Sequence, residues 1–200
     1  MAVEVPTWFE EKNYLNNKAV QLNATKFNDK TDWTADSALA AIEAAGMSAY
    51  EHFVAYGNVE NISPNPMFNV AEYLAAKAAQ LNSDPDEPKS DWTEADVLAA
   101  FNDAGLTAWD HYTQYGMYEG INPSNQFDAS AYFTAKLAQL QAAEPDKGWT
   151  EESMLDAFKE AGLNPLEHYA QYGKDEGLSV PPVPSDERVV TDFDPYTPSN

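Results

Sequence analysis

Cysteine is absent from the chain, which excludes disulfide bridges, thiolate metal ligands and cysteine nucleophiles together. Positive charge is scarce, because 11 Lys and Arg residues stand against 33 Asp and Glu residues, and Arg188 is the single arginine. The formal net charge of -22 repels nucleic-acid phosphates and anionic lipid head groups, so we expect neither as a direct partner. An inhibitor that mimics DNA would share this charge, and that alternative stays open.

Long apolar runs are also missing, and nothing approaches the roughly 20 apolar residues of a membrane span. The first nine residues have neither a basic start nor an apolar stretch, so no classical signal peptide is predicted. These features leave a cytoplasmic protein, a protein exported without a cleaved leader, or a mature form. Hydrophobic residues make up 44% of the chain and aromatic residues 12%, which indicates a folded protein.

Internal repetition is the strongest signal in the sequence. Three tryptophans each precede a threonine, three histidines each follow an acidic residue, and three tyrosines each precede a glycine. These signature residues are Trp33, Trp92, Trp149, His52, His111, His168, Tyr56, Tyr115 and Tyr172. Equivalent positions lie 57 to 59 residues apart. We therefore predict repeat segments at 1–62, 63–121 and 122–178, followed by an extended, acidic, Pro-rich tail at 179–200.

Each repeat segment has the pattern of three helices. In the second and third segments the first helix is expected at about 69–81 and 128–140, with a lysine stem at the edge of its apolar face. The second helix begins after a threonine cap, and the third begins with a capping box. The caps are Thr34, Thr93 and Thr150 for the second helix, and Ser48, Thr107 and Asn164 for the third. The predicted fold class is all-α, a tandem array of three similar three-helix repeats.

The third helix carries aromatic residues at helical spacing, as in Trp109, Tyr112 and Tyr115. Such a stripe is either core or a platform on which sugar rings stack, and core is much the commoner outcome. In the tail, only the region from Val189 to Phe193 has a pattern that suggests a strand. The tail is expected to dock along the body or to lead to a partner.

The three histidines invite a catalytic interpretation, because imidazole is the usual acid or base near neutral pH. Their equivalent places in three segments instead favour a repeated structural role, since such sites converge on one substrate only if the array closes into a ring. The sequence contains no HExxH motif, no serine-nucleophile motif and no Gly-rich phosphate loop. We therefore predict no catalytic residues.

An acidic loop precedes each tryptophan, and the densest cluster combines Asp84, Asp86, Glu87 and Asp91. Calcium prefers several carboxylate and carbonyl oxygens, so this cluster is the candidate metal site. No loop has the spacing of an EF-hand, and solvated loop charge is the commoner explanation for such a run. Calcium therefore stays a candidate ligand, and no cofactor is predicted to be required.

The segments FDASAYFTAKLAQL and HYTQYGMYEGINPS resemble tyrosine-rich helical repeats of large secreted bacterial surface proteins of the RTX and S-layer-like types. The resemblance covers the three segments but not the tail. Two departures are the longer repeat and the residue after the Glu-Gly turn, which is Ile121 or Leu178 instead of arginine. The resemblance implies placement at the bacterial cell surface, export without an N-terminal leader, and calcium dependence.

Together these features predict a non-enzymatic extracellular structural protein, such as a surface-layer, filament or adhesin-like module. Its expected partner is another copy or a neighbouring surface protein, and a head-to-tail contact that does not close would give a filament or sheet. The alternative is a monomeric module that binds calcium or a glycan.

Overall fold

The computed structural model describes residues 3–196 and is all-helical in that range, which confirms the predicted class. The α-helices are α1 (Glu11–Ala24), α2 (Ala35–Ala44), α3 (Ala49–His52), α4 (Val70–Ser83), α5 (Glu94–Asp103), α6 (Ala108–His111), α7 (Ala129–Ala143), α8 (Glu151–Ala161) and α9 (Pro165–His168). Short 3-10 turns cover Phe27–Asp29 and Pro145–Lys147. Residues 1–2 of the predicted first segment and 197–200 of the predicted tail lie outside the described residues.

Side-chain caps precede each of the described α-helices except α1. The Thr93 hydroxyl accepts from the N–H of Asp96 at 3.2 Å, and the Asp96 carboxylate accepts from the N–H of Thr93 at 2.9 Å. The same reciprocal pair precedes α2, α3, α6, α8 and α9, so the predicted N-caps are confirmed. Gly105 follows α5 with φ at +72°, a conformation that glycine adopts without strain.

The third helix of each segment changes its winding after its histidine. A π-helical turn follows α3, α6 and α9, at Phe53–Gly57, Tyr112–Gly116 and Tyr169–Gly173. In the second segment the N–H of Met117 donates to the Tyr112 carbonyl at 3.2 Å, and the N–H of Ile121 donates to the Gly116 carbonyl at 3.0 Å. Hydrogen bonds between residues five apart widen the helix, and such π-helical turns are frequently found at functional sites.

One core runs through the described chain. The first helix of each segment packs on the second, as α4 does on α5, and also contacts the third. Phe68 is fully buried before α4, and its ring lies 5.5 Å from that of Tyr73, so the two residues form a hydrophobic staple at the start of the helix. Trp8 joins the first segment to the second, because its ring lies 4.9 Å from that of Trp109.

The segments that lead into α1, α4 and α7 lie side by side. We call 3–10, 62–69 and 121–128 the junction segments. The residue that follows each junction phenylalanine donates its backbone N–H to the carbonyl of a proline about 54 residues later. These bonds are Glu10 to Pro64 (3.1 Å), Asn69 to Pro123 (3.0 Å) and Asp128 to Pro181 (3.2 Å). The last acceptor belongs to residues 179–196, which we call the C-terminal segment.

The C-terminal segment contains no helix or strand, so the strand suggested at Val189 to Phe193 does not form. It folds back on the body through Asn125, whose side chain accepts from the N–H of Val189 at 3.0 Å and donates to its carbonyl at 2.9 Å. The Asn125 carbonyl accepts from the N–H of Val183, and the Val183 side chain is buried. Thr191 reaches Glu94 of α5 at 2.8 Å.

Candidate functional site

A hydrogen bond between a tyrosine of the first helix and a histidine of the third recurs in every segment. The Tyr hydroxyl lies 2.7, 2.7 and 2.6 Å from the His Nδ1 in the pairs Tyr14–His52, Tyr73–His111 and Tyr132–His168. All three tyrosines are fully buried. Each histidine is hydrogen-bonded to a different tyrosine, so the three signature histidines form three separate pairs and do not meet at one site.

Glycine at the end of each π-helical turn makes room for the tyrosine. A Cβ atom added at Gly116 would overlap the Tyr73 hydroxyl and lie 2.9 Å from Cζ of the same ring. Gly57 stands in the same relation to Tyr14. The glycine of the Tyr-Gly dipeptide therefore has a steric cause. Without a side chain at this position, the phenol of the first helix can lie against the backbone next to the histidine.

Burial controls protonation in these pairs. It is the main reason why the pKa values of His52, His111 and His168 lie below the usual imidazole value. Burial likewise raises the pKa of Tyr14, Tyr73 and Tyr132 well above that of a free phenol. At neutral pH the imidazole is therefore neutral and the phenol keeps its proton. Transfer of that proton from tyrosine to histidine is opposed by both shifts.

A lysine–glutamate ion pair accompanies each tyrosine–histidine pair. The Nζ-to-carboxylate distances are 2.8 Å for Lys18–Glu60, 2.9 Å for Lys77–Glu119 and 2.8 Å for Lys136–Glu176. These lysines are buried, so the prediction that their stems lie at the edge of the apolar face is wrong. A buried ammonium needs a charged partner, and a glutamate in the turn after the third helix supplies it. Each glutamate lies eight residues after the histidine, so the repeat marks the position of the glutamate but not the lysine 40 to 42 residues earlier with which it pairs.

The aromatic stripe of the third helix divides between core and surface. Trp109 and Tyr112 are buried, as the core interpretation expects, but Tyr115 is 49% exposed. Tyr56 and Tyr172 are similarly exposed. The Tyr115 ring lies 5.5 Å from the ring of His111, and the other two tyrosines lie at 5.4 Å from their histidines. Each segment therefore presents one half-exposed tyrosine beside its neutral imidazole.

In the third segment this tyrosine borders a cleft of about 480 Å³ between the helices. Its lining includes Trp149, Tyr172, His168 and Gln171, together with Lys136 and apolar residues such as Leu140, Met154 and Phe158. A face of aromatic rings with a few hydrogen-bonding groups is chemically suited to a neutral, hydroxyl-rich ligand.

The signature tryptophans are partly buried and stabilise the entry to the second helix. In the second segment the Asn82 side chain accepts from the N–H of Trp92 at 2.7 Å and donates to its carbonyl at 2.9 Å. A lysine lies over each indole, with Nζ 5.2, 4.7 and 5.6 Å from the ring centroids of Trp33, Trp92 and Trp149. These cation–π contacts hold each lysine against the tryptophan of its own segment.

The predicted calcium residues lie on the loop between α4 and α5. The Asp84 carboxylate accepts from the backbone N–H of Asp86 at 2.9 Å, and the Glu87 carboxylate accepts from that of Lys89 at 3.5 Å. Within residues 3–196, no three His, Asp or Glu side chains come together in a group that could hold a metal ion. Calcium binding by Asp84, Asp86, Glu87 and Asp91 stays a prediction.

The contact between the first and second segments has a polar centre that the sequence analysis missed. The Asn58 side chain accepts from the Thr107 hydroxyl at 2.8 Å and donates to the Asp110 carboxylate at 3.0 Å. Asn58 thus bonds the capping box of α6 from the neighbouring segment. No sequence signal pointed to it, because the equivalent positions are Met117 and Lys174.

Neither a membrane-spanning helix in the described part of the chain nor a similar known protein indicates where this chain acts. None of the helices between residues 3 and 196 is long and apolar enough to cross a membrane. No family model, no curated protein and no solved structure matches this chain.

Proposed function

We propose that the chain is a non-enzymatic structural protein that self-associates at the bacterial cell surface. In this proposal its body is a tandem array of three similar three-helix repeats with a Pro-rich tail. The observation that carries the proposal is the recurring backbone bond between neighbouring junction segments, Glu10 to Pro64, Asn69 to Pro123 and Asp128 to Pro181. A contact that repeats along a chain is the type of contact from which longer arrays are built.

The tyrosine–histidine pairs support a structural role. Each is internal to its own segment, has a fully buried tyrosine, and holds its proton on the phenol at neutral pH. A general base must be able to accept a proton from a substrate, and a histidine whose Nδ1 is engaged by a buried tyrosine is better placed to join two helices.

The acidic surface supports dependence on cations. Lysines are drawn into internal contacts, as Lys77 is with Glu119 and Lys89 is with Asp96 and Trp92, whereas most carboxylates remain on the surface. Two copies with a formal charge of -22 repel each other, so association should strengthen when salt or a divalent cation screens that charge.

Sedimentation velocity over a wide range of protein concentration tests the proposal. We expect species larger than the monomer, with growth promoted by millimolar calcium relative to EDTA. Magnesium and sodium chloride at matched ionic strength are the controls, because screening alone predicts equal effects while carboxylate bridging predicts a larger effect of calcium. A single monomeric species under every condition would contradict the proposal.

Glycan binding by a monomer is the second candidate, and the half-exposed tyrosines favour it. Tyr115 and its two equivalents present aromatic rings beside a neutral imidazole. Binding of neutral oligosaccharides such as chitohexaose and cellohexaose can be followed by tyrosine fluorescence and NMR. Loss of binding in a folded Tyr115→Ala variant would support this candidate, whereas absence of binding in the wild-type protein would remove it.

A further inference from the structure

The junction segment at 3–10 exposes side chains that the other two junction segments bury. Counting back from the junction phenylalanine, Val3 corresponds to Ile62 and Ile121, while Val5 corresponds to Pro64 and Pro123. Ile62 and Ile121 are 2% and 5% exposed, but Val3 and Val5 are each 52% exposed. Pro64 and Pro123 are also buried. The apolar pattern of a junction segment is therefore present at 3–5 without its usual cover.

The backbone of segment 3–5 also lacks a contact that the other two junction segments make. The carbonyls of Pro64 and Pro123 accept from the N–H groups of Glu10 and Asn69. The carbonyl in the equivalent place is that of Val5, and within residues 3–196 no N–H donates to it. A surface with both apolar side chains and an unused acceptor matches the edge that a preceding repeat would cover.

At the other end, the C-terminal segment occupies the edge that a following junction segment would occupy. Pro181 accepts from the N–H of Asp128, as Pro123 does from Asn69 one repeat earlier. Val183 supplies the buried apolar side chain and donates its N–H to the Asn125 carbonyl. The C-terminal segment thus reproduces the backbone hydrogen bond of the internal junctions. Pro181 itself is exposed where Pro64 and Pro123 are buried, and the buried apolar side chain of this segment, Val183, lies two residues further on.

We propose that the edge of the third repeat formed by Asn125 and Asp128 binds segment 3–5 of a second copy. The incoming segment displaces the C-terminal segment of the same chain, which occupies this edge in the single molecule. The second copy then adds as a further repeat, and the chain assembles head to tail. In the single molecule the C-terminal segment occupies this edge. It therefore competes with segment 3–5 of other copies and limits assembly. The proposal rests on the self-association proposed above and specifies its contact.

A second copy is the occupant that the geometry favours, because the contact continues one that already occurs within the chain. Its Val5 carbonyl would accept from the N–H of Asp128, and its two valines would fill positions that hold Ile and Pro at the internal junctions. The segment and the edge are both acidic, with Glu4 on one and Asp128 on the other. Association through this contact should therefore be weaker at low ionic strength.

Val183→Asp in the full-length protein tests the exchange, and Val190→Asp is the matched control. Both changes add one negative charge to the C-terminal segment, but Val183 is 2% exposed whereas Val190 is 95% exposed. Release of the segment should lower the concentration needed for association by at least about tenfold in Val183→Asp, from the lost burial of one valine. Val190→Asp should match the wild-type protein in sedimentation velocity.

Two further additions identify the contact. Val5→Asp introduced together with Val183→Asp should abolish the gain and leave association at or below the wild-type level. A synthetic peptide of residues 178–196 should suppress association of the Val183→Asp protein. Circular dichroism and thermal melting establish that each variant is folded. Asn125→Ala, which removes both side-chain bonds to Val189, is the second releasing variant if Val183→Asp fails to fold.

The outcomes separate this inference from the proposed function. Weaker association in Val183→Asp would show that the C-terminal segment itself bridges copies, and it would overturn the exchange. Wild-type association that neither Val183→Asp nor Val5→Asp alters would also overturn it, while leaving self-association intact. If the wild-type protein and every folded variant remain monomeric, both proposals fail.

Discussion

Gly116→Ala is the substitution for which helix propensity and tertiary packing predict opposite signs. Gly116 ends a helical turn without a positive φ, so replacement by alanine should stabilise the helix by about 0.5–1 kcal/mol. The added Cβ, however, would overlap the hydroxyl of Tyr73. That ring is fully buried and packs against Phe68 and Tyr112, so it has no space into which to move.

The steric effect should dominate. Overpacking a buried site costs about 1–3 kcal/mol, and separating Tyr73 from His111 leaves buried polar groups unpaired at a further cost of about 1–3 kcal/mol. After the propensity gain of about 0.5–1 kcal/mol is subtracted, the free energy of unfolding should fall by roughly 1–5 kcal/mol. For a chain of this length that lowers the melting temperature by roughly 2–20 °C.

A double-mutant cycle with Tyr73→Phe isolates the cause. Tyr73→Phe alone should cost about 1–2 kcal/mol, because His111 loses its partner. It also removes the oxygen that the new Cβ would meet, so the double variant should be more stable than the sum of the single changes predicts, by about 1 kcal/mol or more. Urea denaturation measures all four proteins. A Gly116→Ala protein as stable as the wild type, or additive costs, would refute the steric explanation.

Three other predictions follow from the same site. Glu119→Gln should lower the free energy of unfolding by about 2 kcal/mol, because the buried Lys77 ammonium loses its charged partner, and urea denaturation of Lys77→Met/Glu119→Gln should recover part of that loss. Acid should destabilise the protein, since burial lowers the pKa of His111 and its two equivalents, so that the unfolded chain binds protons at higher pH than the folded chain does. The free energy of unfolding should therefore decrease as pH falls below about 6.5, most clearly at high salt where net repulsion is screened, and a flat profile from pH 7.5 to 5.5 would contradict this. Tyr112→Ala should cost about 3–5 kcal/mol and Tyr115→Ala less than about 1 kcal/mol in thermal denaturation, because the first ring is fully buried and the second is half-exposed.

Local sequence signals determined where most helices begin. Thr93 and Thr107 were identifiable as caps because a threonine three residues before an acidic side chain can form reciprocal bonds without help from the rest of the fold. The first helices were placed almost correctly: α4 runs from Val70 to Ser83 against a predicted 69–81. Their ends extended further than expected, since the Asn82 side chain, which bonds to Trp92, keeps the last turn of α4 in place.

The candidate site could be predicted only in part. Periodicity marked His111 and Tyr115 as members of a repeated motif, yet it could not give the partner of either. The partner of His111 is Tyr73, 38 residues earlier, and the ion pair of Lys77 with Glu119 spans 42 residues. Helical spacing describes one face of one helix, so it cannot distinguish a buried ring from an exposed ring at the end of the same stripe.

The sequence by itself determined the all-helical class, the repeated motif and the caps, because each depends on side chains within a few residues of one another. Tertiary structure alone decided that the lysines are buried, that the third helices end in π-helical turns, and that the C-terminal segment lies on Asn125. These features arise where distant segments compete for the same volume and the same backbone donors. The outcome of that competition is set by packing and is not encoded in any local pattern.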